Sequence, residues 1–195
     1  LKALHEALDQ DPGLGVVGCC LTLKSDPDCI QGVGGRYSSW LGTTRHVLSG
    51  LPYETALALE VRPSIDYAIG AAFLVRRSVL ETAGLFPEDY FLYFEDLDWA
   101  KRVRRFAPDF TIDSCLKSRV LHHEGATTGA RTCLQEKTTN PSTDYFYQRN
   151  RLLLSRRWHP LKYPIVHLSQ LGVFGNRLRR REWRLALIAL GLFLG

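Results

Sequence analysis

The run GVVGCCLTL, residues 15–23, contains no charged side chain. A strand that is apolar on both faces must lie between two covering layers, so this run predicts the centre of a sheet with helices on either side. It is preceded by a helical pattern over residues 1–10, which Asp11-Pro12-Gly13 stops. Downstream, a Gly-rich polar stretch from Ser25 to Pro63 holds short candidate strands around Ile30 and Val47, and DYAIGAAFLV (66–75) reads as a second buried strand. RRSVLETAG (76–84) reads as a short helix capped by Gly84 in the left-handed region. After the aromatic loop FPEDYFLYF, a helix is expected from about Glu95 to Phe106, ending before Pro108. FTI (110–112) and SRVLHH (118–123) read as strands, 126–142 as a polar loop, and 143–159 as an Arg-rich helix ended by Pro160. Strands and helices in this order predict an α/β sheet domain followed by a helical extension.

A chain of 195 residues with 45% hydrophobic residues can build one good-sized domain, or a domain plus an appendage, so disorder is not the default expectation. The five cysteines form no CxxC pair and are odd in number, which argues against a disulfide scaffold or zinc ribbon and suits a reducing compartment. Methionine is absent even at position 1, and the chain opens inside a helical pattern, so it is expected to be part of a longer product, with no signal peptide at its start.

Charge is unevenly distributed. Residues 149–195 hold ten of the 25 Lys and Arg and one of the 20 acids, net +9, whereas residues 1–148 carry net −4. The last stretch, LALIALGLFLG, is apolar but about half as long as a bilayer span. A basic, apolar end suggests attachment to an anionic membrane surface, where each nearby Lys or Arg contributes about 1 kcal/mol. Nucleic acid is the rival partner for the same charge, but it leaves the apolar end unexplained, and none is expected.

Three clusters can carry chemistry. Glu95, Asp96 and Asp98 stand behind the aromatic residues Tyr90, Phe91, Tyr93 and Phe94. Mutual repulsion and partial desolvation raise carboxylate pKa values toward those of a general base. Acids in a first helical turn with Lys101, Arg102, Arg104 and Arg105 later on also suit the helix dipole, with Asp98 and Arg102 spaced as an i,i+4 pair, and both readings stay open. His122-His123 are adjacent on a strand, so only one of them looks into a given site, as a metal ligand or as a hydrogen-bonded structural residue. Arg149, Asn150 and Arg151 offer guanidinium forks for a diphosphate or a solvated basic face. GVGGRY (32–37) lacks GxGxxG spacing, there is no GxSxG elbow, and no cysteine sits near a helix start with a His partner.

IDYAIGAAFLVRRSVLETAGLFPEDYFLYFEDLDWAKRVRR, then SRVLHHEGATTG, then YFYQRNRLLL resembles the C-terminal half of family 2 inverting glycosyltransferases of the GT-A fold, in particular the bacterial rhamnosyltransferase-like branch. The resemblance runs from Leu1 to His159. It rests on Gly-Ala-Ala followed by Arg-Arg, Gly-Leu-Phe, an aromatic run into Glu-Asp-x-Asp, a His 26 residues after the second acid, and Arg-Asn. It implies an α/β fold in which residues 1–142 form the acceptor-side part of a GT-A mixed-sheet domain and 143–195 a membrane-associating helical extension. It also implies sugar transfer from a nucleotide-diphosphate sugar to an acceptor hydroxyl, with Asp96 as general base and Glu95 positioning it or shaping the acceptor pocket. Gly70, Tyr93, Arg149 and Asn150 would bind substrate, and His122 would be a ligand to Mn²⁺ or Mg²⁺, with His123 as the fallback. The acceptor would be a lipid-linked saccharide for a cell-surface polysaccharide or lipopolysaccharide, met at the cytoplasmic face of the cell membrane. The family's Asp-x-Asp motif lies ahead of the matched region, and Pro87 stands where relatives commonly carry Asp. Two other classes fit the same residues: a glycoside hydrolase using Glu95 with a second acid, and a non-catalytic module binding membrane or nucleic acid.

Overall fold

The computed structural model describes residues 1–59, 63–123 and 140–195. The apolar run becomes strand β1 (Leu14–Leu23), every residue of which is buried. It lies at the centre of a four-stranded mixed sheet. Along one edge runs β6 (Thr111–His122), parallel to β1, with an irregularity where Cys19 and Cys20 face Cys115 and Arg119. The other edge is shared: β5 (Phe73–Val75) pairs antiparallel with Val16–Gly18, and β2 (Asp26–Gly32) pairs antiparallel with Leu21–Leu23.

Both faces are covered, as such a strand requires. Helix α1 (Lys2–Gln10) sets Leu4 and Leu8 against Leu14, Val17, Cys19 and Leu21. On the opposite face, α3 (Arg77–Ala83) and α4 (Glu95–Phe106) bring Val79, Ala83, Trp99 and Val103 against Val16. Phe73, Phe86 and Trp99 stack there at 4.8–5.9 Å between ring centres. The end of α1 has no basic residue of its own, and Arg76 serves it from across the sheet, donating to the Leu8, Asp11 and Leu14 carbonyls.

Five expectations change. Of the expected strand 66–75, only Phe73–Val75 joins the sheet. The earlier half is drawn away by a hairpin of β3 (Gly35–Ser38) and β4 (Thr43–His46): Tyr67 bridges Gly35, and Asp66 accepts the Tyr37 N–H at 2.7 Å. FTI and SRVLHH belong to one continuous strand, β6. A short helix, α2 (Tyr53–Leu57), occupies part of the polar stretch. Gly84 ends α3 with φ +77° as expected, but its ψ of −178° is extended. The expected loop 126–142 lies outside the described residues up to 139, and its last two residues begin α5 (Pro141–Trp158), which Asn140 caps by accepting the Ser142 N–H at 2.9 Å.

The chain closes with α6 (Tyr163–Arg179) and α7 (Trp183–Leu194). Asp144, Gln148, Arg151 and Ser155 of α5 form a buried polar stripe at helical spacing. Arg151 is 4% exposed and donates to Gln148, to the Val166 carbonyl and Ser169 on α6, and to the Leu41 carbonyl at the hairpin tip. Arg177 pairs with Asp144 and Glu182. No helix among the described residues is long and apolar enough to cross a membrane.

Gly15 is the tightest point of the central strand, since a Cβ there would lie 2.6 Å from the Phe110 Cβ and 2.7 Å from the Val79 Cγ2. Gly15→Ala is expected to cost about 1–3 kcal/mol, read as a lower urea midpoint with an unchanged slope.

Candidate functional site

The site is built where α4 begins. The loop before it is strained: Phe91, Tyr93 and Phe94 have φ of 58°, 65° and 72°, values that bulky residues rarely adopt. Phe91 is the centre of a γ-turn in which the Leu92 N–H donates to the Tyr90 carbonyl at 2.6 Å. Such strain persists only where the surroundings over-determine it. Here Asn150 of α5, fully buried, donates through Nδ2 to the carbonyls of Tyr90, Leu92 and Tyr93 at 2.7, 2.6 and 3.1 Å. Its Oδ1 accepts from Arg149 Nη1 at 2.7 Å, and the same nitrogen donates to the Asp89 carbonyl at 2.8 Å.

Asp96 then enters the first turn of α4. Its Oδ2 accepts the Gly70 N–H at 3.1 Å and its Oδ1 accepts the Leu97 N–H at 2.8 Å. Beneath it lies a void of about 10 Å³ walled by Val16, Ala68, Phe73, Trp99 and Ile112, too small and apolar to hydrate a carboxylate. Burial, with the charge of Glu95 second, pushes the Asp96 carboxyl up to about 7, against the two backbone N–H groups that favour the ionised form. Glu95 is also raised by burial, and its Oε2 is buried with no partner among the described residues. Tyr67 is raised by burial and then by the charge of Asp96.

Two residues on, Asp98 has a different environment. It is fully buried, and its Oδ2 accepts from Tyr90 Oη at 2.5 Å, Arg157 Nη1 at 2.9 Å and Trp158 Nε1 at 3.0 Å. The expected Asp98–Arg102 pair is therefore not formed: Arg102 donates to the Leu85 carbonyl at 3.1 Å. A separation of two residues on a helix turns a side chain by about 200°, so Asp96 and Asp98 look in opposite directions.

His122 ends β6, opposite Leu23. Its Nδ1 lies 2.7 Å from Gln31 Oε1, an acceptor to which an Nδ1–H donates. That is the arrangement of a histidine ligand steadied by a neighbour. Among the described residues, however, no three His, Cys, Asp or Glu side chains group to hold a metal ion, so the described residues do not by themselves make a metal centre. His123 lies just past the strand and is exposed.

The structure thus brings Asp96, Glu95, Gly70 and Tyr93 together at one end of α4, with Asn150 and Arg149 behind the loop. Tyr90, Asp98, Arg157 and Gln31 were not singled out for these roles in the sequence. Only the two-residue offset of Asp98 from Asp96 could have flagged one of them, as a side chain on the opposite face of the helix.

No family model matches the chain. Two curated relatives, from the CDC 1551 / Oshkosh and ATCC 25618 / H37Rv strains of Mycobacterium tuberculosis, are each described as N-acetylglucosaminyl-diphospho-decaprenol L-rhamnosyltransferase. Each is 27% identical over 207 residues covering 96% of this chain, and the chain spans 64% of the length of these relatives. The likeness supports a relationship to glycosyltransferases.

Tyr90→Phe removes one of the three donors on Asp98 and is expected to destabilise by about 1–3 kcal/mol. Asn150→Leu, which releases three loop carbonyls, is expected to cost more and to raise amide exchange selectively over residues 90–94. Hydrogen exchange measured by mass spectrometry checks both.

Proposed function

We propose that the chain is the acceptor-side part of a family 2 inverting glycosyltransferase of the GT-A fold, with residues 1–142 in the catalytic domain and 143–195 as a membrane-associated extension. The observation that carries this reading is the Asp96 carboxyl: held by two backbone N–H groups at a helix start and raised by burial to about 7, it is matched to taking a proton near neutral pH. The donor is a nucleotide-diphosphate sugar and the acceptor a lipid-linked saccharide, the kind of pair implied by the name of the mycobacterial relatives. A rhamnosyl donor is the first to try, within cell-surface polysaccharide or lipopolysaccharide synthesis.

In the proposed step, Asp96 Oδ accepts the proton of the acceptor hydroxyl as that oxygen forms its bond to the anomeric carbon. The bond from that carbon to the diphosphate oxygen breaks, its electron pair leaves with the nucleoside diphosphate, and the configuration inverts. Glu95 keeps Asp96 basic through like charge. Tyr93 and the Gly70 backbone border the acceptor, Asn150 holds the loop that carries Tyr93, and Arg149 faces the diphosphate or a lipid phosphate. A bound Mn²⁺ or Mg²⁺ would supply charge neutralisation for the leaving diphosphate, and His122 Nε2 is the ligand the described residues would contribute.

The apolar side chains exposed on α7, Trp183 (63%) and Leu187 (66%), neighbour Arg179, Arg181 and Arg184 in sequence and support peripheral attachment at the cytoplasmic face of the membrane. Vesicles with one-third anionic lipid should retain the chain at low salt and release it as salt rises, and neutral vesicles should not.

The decisive test is transfer by the upstream-extended parent. Asp96→Asn keeps the side-chain size and removes the proton acceptor, so kcat should fall at least about 100-fold with the fold intact. The base works only ionised and burial raises its pKa, so kcat/KM should be lost as pH falls through about 7, with one proton per molecule. Wild-type rates in Asp96→Asn would overturn the assignment, and free sugar released without acceptor would favour a hydrolase.

A further inference from the structure

On the side of α4 turned away from Asp96 lies a cleft of about 540 Å³, within the range of small-molecule sites. Asp98, Arg102 and Arg105 recur at i, i+4 and i+7, which places them on one stripe of α4, and Phe106 follows at its edge. Asp89 and Trp158 complete the walls. The cleft is not a hydrophobic crevice. Its floor is rigid, because Asp98 holds both Arg157 (2.9 Å) and the Trp158 indole N–H (3.0 Å). Its rim carries spare positive charge. Arg157 is shared between Asp89 and Asp98, and Arg102 and Arg105, neither of which forms an ion pair among the described residues, leave the lining with one positive charge in excess; Arg102 donates to the Leu85 carbonyl and Arg105 lies 5.8 Å from the Phe106 ring centre.

We propose that this cleft is a second saccharide subsite that takes a sugar unit bearing a carboxylate or a phosphate. Each part of that ligand has a counterpart. The ring faces of Trp158 and half-exposed Phe106 suit the C–H face of a pyranose. The Asp89 carboxylate accepts sugar hydroxyls and disfavours a bare anion. The guanidinium groups of Arg102 and Arg105, which no carboxylate among the described residues engages, meet the oxyanion, Arg102 through the nitrogens that do not donate to Leu85. The stripe's rotation from Asp96 makes the site separate from the one that binds the reacting hydroxyl, so it would retain another unit of the acceptor. The inference rests on the glycosyltransfer reading only in taking the ligand to be a saccharide.

The test follows the indole ¹H–¹⁵N signal of Trp158 in the full chain, assigned by its disappearance in Trp158→Phe among the four tryptophans. Titration with glucuronic acid and with glucose 1-phosphate should move this signal saturably with at least one of them, and show whether carboxylate or phosphate is preferred. Glucose, inorganic phosphate and uridine monophosphate should each bind at least tenfold more weakly. Arg105→Gln, at an exposed position, and Arg102→Gln should each weaken binding tenfold or more, and Asp96→Asn should leave it unchanged. The proposal falls if neither acidic sugar moves the signal, if inorganic phosphate or the nucleotide binds as well as the sugars, if the Arg variants bind as wild type does, or if Asp96→Asn abolishes binding. Loss of transfer in Asp96→Asn with the Trp158 titration intact keeps the two readings separate.

Discussion

A single buried carboxylate, Asp98, joins the three pieces of chain that make the candidate site. The 88–90 turn reaches it through Tyr90, α4 carries it, and the end of α5 reaches it through Arg157 and Trp158. An ion buried without partners would be untenable, and removing one partner from such a set costs about 3–5 kcal/mol. That is enough to fix how α5 lies across α4. Once α5 is fixed, Asn150 two turns earlier is placed under the 90–93 carbonyls, and the loop can hold three aromatic residues at positive φ, each costing about 1–3 kcal/mol. The arrangement in front of Asp96 is therefore maintained from behind.

The contrast between Asp96 and Asp98 shows how one helical turn gives two acids opposite characters. Both are withdrawn from water. Asp98 is met at Oδ2 by a guanidinium, an indole and a phenol, while its Oδ1 is buried with no partner among the described residues. Asp96 is met only by two backbone N–H groups, an apolar void and a second acid, so burial prevails and its pKa rises.

Much of this was legible in the sequence because the signals are local. The apolar run 15–23 demanded covering on both faces and received it; the Glu95–Phe106 helix begins and ends where its acids and Pro108 suggest. The acidic cluster itself stood out by density alone. What was not legible depends on contacts distant in the chain. DYAIGAAFLV is apolar enough for a strand, yet Asp66 and Tyr67 are claimed by a hairpin some 30 residues earlier, and periodicity carries no information about that competitor. The Asp98–Arg102 spacing fits an ion pair, but Arg157, 59 residues away, reaches Asp98 in the interior, where the interaction is stronger than on the surface. Asn150 in an Arg-Asn motif gives no hint that it faces inward, because its partners are backbone carbonyls with no side-chain signature.

The charge asymmetry also changes meaning in three dimensions. Counted along the chain, the last 47 residues carry nine net positive charges. Two of those cations are internal and a third is paired. Arg151 is 4% exposed and bound to α6 and the hairpin, Arg177 pairs with Asp144 and Glu182, and Arg157, itself exposed, is shared between Asp89 and Asp98 of the preceding part of the chain. The net −4 before residue 149 and the net +9 after it are thus partly two halves of the same ion pairs, and they bind α5 to α4 instead of displaying charge to solvent. The densest group left is Arg179 to Arg184, next to exposed Trp183 and Leu187, and there Arg180 pairs with Glu182. The same ion pairs explain why the extension cannot be regarded as a removable anchor: cutting it away would leave Asp98 buried without its cation and the loop before α4 without its clamp.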